Sequence, residues 1–85
     1  MSGGLADAIG LVGSVLFVAA FGYANWTKAI DKRLFNLLNL LGSALLLISL
    51  SVHFNLAAFV LESVWAVIAL IGLVAALRSA WKERA

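Results

Sequence analysis

The sequence predicts an all-α membrane protein, a single domain over residues 1–85 with three transmembrane helices, the N-terminus outside and the C-terminus in the cytoplasm. Three observations carry that expectation. First, 65% of the chain is hydrophobic and only 12% charged, whereas soluble domains average about half apolar and about a quarter charged. A soluble core of this size could not hide so much apolar surface. Second, the apolar residues fall into three segments, about 8–26, 34–52 and 56–77. Each has roughly 19 to 22 residues and as a helix spans about 28 to 33 Å, which matches a hydrocarbon core of about 30 Å. Segments this long exceed barrel strands, so helices must satisfy their own backbone polar groups in lipid. Third, all the cations lie in two places: Lys28, Lys32 and Arg33 in the first connection, and Arg78, Lys82 and Arg84 in the tail. The positive-inside rule puts both in the cytoplasm.

The first segment is expected to be a membrane helix rather than a cleaved signal peptide. Its leader "MSGGLADA" has no Lys or Arg and carries Asp7. At 100° per residue, Gly10, Gly13, Ser14, Ala20 and Ala24 share one face with Phe17 and Phe21. In lipid the hydrophobic effect does little between helices, so such small residues are expected to hold the bundle by close packing. Tyr23 and Trp26 suit the headgroup level, as does Trp81 in the tail. Asp31 is placed to cap the second helix and Asn55 the third. Within the second segment Asn36, Asn39 and Ser43 lie within about 60° of arc, with Gly42 beside them. The connection "HFN" makes His53 an interfacial residue facing out. In the third segment Ala58, Glu62, Ala66, Ala69, Gly72 and Ala76 form a ridge of small side chains. The connections are short, so consecutive helices are expected to be antiparallel neighbours.

The residues that could do chemistry are few. There is no cysteine, and a lone His53 cannot build a metal site within one chain, so no metal or cofactor is expected. The net charge of +2 is explained by membrane topology and calls for no nucleic acid. Glu62 sits on the inward ridge about six residues below the outer boundary, with every cation on the opposite side. A charged carboxylate at the bilayer centre costs at least about 2.5 kcal/mol. Glu62 is therefore expected to be neutral or reached by water. It either binds a proton or small polar solute, or bonds across a helix interface as packing glue. Asn39, with Asn36 and Ser43, either lines a pocket or fixes the packing register through interhelical hydrogen bonds. Trp65, one turn from Glu62, either walls a pocket or packs in the core. A carboxylate with no partner base or nucleophile gives no catalytic residue, so no enzyme is expected.

The run "NLLNLLGSALLLISLSVHFNLAAFVLESVWAVIALIGL" resembles a family of small uncharacterised bacterial three-helix membrane proteins often labelled as permeases. The resemblance rests on Asn39, Leu40, Gly42 and Ser43, then Phe54 and Asn55, then Glu62, Trp65 and Gly72. The opening "ADAIGLVGSVLFVAAFGY" fits as well, so it covers nearly the whole chain. The outline is also similar to semiSWEETs, half-size sugar transporters that dimerise around a central pathway. This chain lacks their proline–glutamine motif and has no proline at all. These resemblances imply a multi-pass protein of the bacterial inner membrane, transporter-like and working as a dimer or larger oligomer, with Glu62, Asn39 and Trp65 at a solute or proton site. Gly10, Gly13, Ser14, Asn36, Gly42, Ser43, Ala69 and Gly72 would serve helix packing. The alternative is a non-transporting accessory subunit that packs against a larger membrane complex.

Overall fold

The computed structural model describes residues 1–84 and contains three α-helices: α1 (Gly3–Trp26), α2 (Lys32–Leu50) and α3 (Leu56–Arg84). Each is long and apolar enough to cross a membrane, with mean hydropathy over its most apolar stretch of 2.0, 1.7 and 2.4. This is compatible with a multi-pass membrane protein.

Local chemistry sets the boundaries. Ser2 caps α1 by accepting from the Leu5 N–H at 3.1 Å, so the helix starts at residue 3, ahead of the expected residue 8. Asp31 caps α2, accepting from the Arg33 N–H at 3.0 Å. Asn55 accepts from the Ala58 N–H at 3.1 Å at the start of α3. Both side chains fill orphan donors of a first turn. α3 runs seven residues past the expected end at 77. After Gly72 the sequence has neither glycine nor proline, so nothing there breaks the helix. Its 29 residues measure about 43 Å and account for most of the 47 Å long axis of the molecule.

Helix α2 is the middle element. It packs against α1 on one side and α3 on the other. No Cα of α1 comes within 8 Å of one in α3 among the described residues. The α1–α2 seam is built on glycine. A Cβ at Gly13 would meet the Gly42 carbonyl oxygen at 2.9 Å, and one at Gly42 would meet the Phe17 ring at 2.8 Å. Backbones can approach this closely only where no side chain intervenes. Ala6, Gly10, Gly13 and Ala20 are the buried residues of α1, and they share that face.

The ends are tied by polar contacts. The Asp31 N–H donates to the Tyr23 hydroxyl at 2.7 Å, holding the first connection against α1. At the other end His53 Nε2 lies 3.1 Å from Asp7 Oδ1 and 3.3 Å from the Gly3 carbonyl oxygen, so the second connection meets the start of α1. Trp26 and Trp81 stand exposed, as anchoring aromatics would.

Candidate functional site

The polar residues of the interior gather along the α2–α3 seam. The packing of Asn36 onto Gly72 sets its register. A Cβ at Gly72 would fall 2.7 Å from Asn36 Cγ, so the amide occupies the space that the glycine leaves open and would have to move to admit a side chain there. Asn36 in turn donates to the Lys32 carbonyl of its own helix at 2.8 Å. One turn further along α2, Asn39 is buried at 7% exposure and comes level with Ala69, which is buried at 3%.

Asn39 is held from two sides. Its Nδ2 donates to the Phe35 carbonyl at 2.9 Å, and its Oδ1 accepts from Trp65 Nε1 at 3.0 Å. The Trp65 ring also meets Phe17 of α1, with centroids 5.9 Å apart and planes tilted by 55°. Trp65 therefore bridges all three helices from the half-exposed side of the molecule. Beside it, Phe35, Asn36, Asn39, Trp65, Ile68 and Ala69 line a shallow cleft of about 110 Å³. The structure thus brings Asn39 and Trp65 together as hydrogen-bond partners. The sequence offered no sign of this pairing, because it depends on the register of two helices 26 residues apart.

Glu62 is not among the residues lining that cleft. It is half-buried on the face of α3 that carries Ala69, and its Oε2 is enclosed with no hydrogen-bond partner. Ser43 of α2, fully buried, likewise has an unpartnered hydroxyl. In the register set by Asn36 and Gly72, Ser43 lies level with Trp65 and Ala66, about one turn from Glu62 along the seam. Buried polar atoms normally have partners, so two orphans on one seam mark it as chemically incomplete.

The remaining packing candidates divide. Gly10 sits against Ser49, whose hydroxyl oxygen would be 2.8 Å from an added Cβ. Gly13 and Gly42 form the α1–α2 crossing, and Ser43 and Ala69 are buried. Ser14 departs from expectation. It is exposed, and its hydroxyl donates to the Gly10 carbonyl at 2.9 Å, within its own helix. Its position at the edge of the glycine face turns it away from α2, and the back-bond satisfies it there. Phe21, expected on the same face, is 71% exposed.

A second, wider cleft of about 580 Å³ opens between the start of α2 and the tail of α3, with Asp31, Lys32, Arg33 and Glu83 among its lining residues. Its charges balance, and Arg33 pairs with Asp31 at 3.5 Å.

No curated protein and no solved structure matches the chain. The expected likeness to permeases and semiSWEETs finds no support in a family match. One family model does match, over residues 6–80, which takes in α2 and most of α1 and α3; the chain belongs to that uncharacterised family.

Proposed function

We propose that this is a transporter-like protein of the bacterial inner membrane that acts as a homo-oligomer and takes a proton or small polar solute at Glu62. Its N-terminus would face out and its C-terminus the cytoplasm, as the cation distribution indicates. One observation carries the reading: an enclosed carboxyl oxygen without a partner, on a seam that also holds the orphan Ser43 hydroxyl. Ionisable groups inside membrane spans are expensive and mark ion and substrate pathways. Asn39 and Trp65 act here as neighbours of the site. They hold α3 on α2 and fix the depth at which Glu62 sits. Three helices enclose little space, so the pathway belongs to an assembly of copies.

The test is an infrared titration of the Glu62 carboxyl in the reconstituted, full-length protein, with Glu62→Gln to assign the band and with sizing of the same sample. A band that responds reversibly to bulk pH, in an oligomer, is the expected result. A band unmoved over the whole accessible range, in a monomer, would refute the proposal.

A second reading, an accessory subunit of a larger membrane complex, draws on the state of α3. Apart from the contact of Trp65 with Phe17, that helix packs on α2 among the described residues, and just 6% of its most apolar stretch is buried within the protein. Under this reading the purified chain is a monomer, and a partner helix supplies the missing contact to Glu62.

A further inference from the structure

The tail of α3 segregates its charges by face. Taking Ala69 as the direction of α2, Arg78 lies about 180° away and Lys82 about 140° away, while Glu83 is only about 40° off. Glu83 accordingly lines the cleft toward α2. The outward face has two cations one turn apart and no carboxylate. Shallow hollows there are walled by Leu70, Ile71, Val74, Arg78, Ser79 and Lys82 among others. Neither Arg78 nor Lys82 forms an ion pair among the described residues, in contrast to Arg33.

Depth adds the second constraint. Twenty residues from Leu56 cross about 30 Å, which uses up the hydrocarbon thickness at residue 75. Arg78 and Lys82 therefore stand in the adjoining headgroup layer, directly beyond the apolar strip of Leu70, Ile71 and Val74. A guanidinium and an ammonium above a hydrocarbon-facing strip match the parts of one phospholipid: a phosphate shared by the fork of Arg78 and the ammonium of Lys82, and an acyl chain below.

We propose that the outward face of the α3 tail binds an anionic phospholipid, with its headgroup on Arg78 and Lys82 and an acyl chain along Leu70, Ile71 and Val74. This rests on the three helices being membrane spans and is independent of the role given to Glu62. A zwitterionic lipid brings its own cation beside the phosphate, which Arg78 and Lys82 repel, so the site distinguishes lipids by net headgroup charge.

The experiment uses the purified full-length protein in neutral detergent, offered phosphatidylglycerol or phosphatidylcholine at equal concentration, with retained lipid counted by native mass spectrometry. The wild type should retain phosphatidylglycerol preferentially, and 0.5 M salt should weaken the preference. Each cation near an anionic surface is worth about fivefold, so Arg78→Gln with Lys82→Gln should lower retention about twenty-five-fold. Lys28→Gln with Lys32→Gln removes the same net charge elsewhere and should leave retention unchanged. Equal retention of the two lipids, a salt-insensitive preference, persistence in the Arg78/Lys82 variant, or equal loss in both double variants would each overturn the site.

Discussion

Replacing Gly13 by alanine tests the α1–α2 seam most directly. The new Cβ would lie 2.9 Å from the Gly42 carbonyl oxygen and 3.1 Å from both Leu45 Cβ and Leu46 Cγ. Two of those three atoms are fixed by the α2 backbone, so the helices must separate. Overpacking of this sort costs about 1 to 3 kcal/mol. Alanine in a helix interior returns about 0.5 to 1 kcal/mol relative to glycine. The net is a destabilisation centred a little above about 1 kcal/mol, within a span of about 0 to 2.5 kcal/mol, or roughly an eightfold shift in the unfolding equilibrium at the centre. Gly4→Ala supplies the control, because nothing lies within 4 Å of its added Cβ; there the helix gain acts alone and stability should hold or rise. Reversible unfolding in mixed micelles, followed by helical circular dichroism, reads both variants. If Gly13→Ala proves as stable as the wild type, the close backbone approach is not what joins α1 to α2.

Two other substitutions address the polar contacts. Trp65→Phe keeps an aromatic ring near Phe17 but removes the donor to the buried Asn39 Oδ1; interhelical hydrogen bonds in membranes are worth about 0.6 to 2 kcal/mol. That loss should be seen in the same unfolding assay and should vanish in an Asn39→Leu background, where the acceptor is already gone. At the first connection, the Arg33 backbone N–H is the main cause holding the exposed Asp31 carboxyl below its ordinary range, with the Leu34 N–H and the Arg33 charge assisting. The folded value is the lower one, so this contribution is complete above the unfolded value and disappears as pH falls through the folded one. Amide-exchange protection of the first turn of α2 should therefore drop in acid in the wild type and stay flat in Asp31→Asn, whose amide still caps; equal acid sensitivity in both would show that another group is responsible.

Much of this architecture is legible in the sequence because membrane physics constrains it twice, through span length and through backbone satisfaction. The caps at Asp31 and Asn55 follow from side-chain chemistry one turn away. The inward face of Glu62 follows from its spacing to Ala66 and Ala69. What stayed hidden depends on register or on local competition. Asn39 and Trp65 meet only in the register in which Asn36 also lies against Gly72. Ser14 reads as a packing residue by angle, yet its hydroxyl prefers the Gly10 carbonyl. His53 and Asp7 were both expected on the outer side, and that shared placement is the signal from which their pairing could have been found. The α3 extension past residue 77 was obscured by charge, since a polar tail looks like the end of a span even where nothing ends the helix.

The two seams of the molecule are made of different material, and this bears on where it can move. α1 meets α2 through backbone carbonyls at Gly13 and Gly42, a fit that a small displacement would convert into a gap with no substitute contact. α3 meets α2 through side chains: one amide–indole hydrogen bond, one asparagine against a glycine, and a stretch containing two unpartnered polar atoms. Side-chain contacts can be exchanged for others at similar energy, above all when a bound proton, solute or neighbouring helix offers Ser43 and Glu62 the bonds they lack. If a proton, solute or neighbouring helix engages Glu62 as proposed, it acts on this side-chain seam, and α3 is the helix expected to shift against α1 and α2.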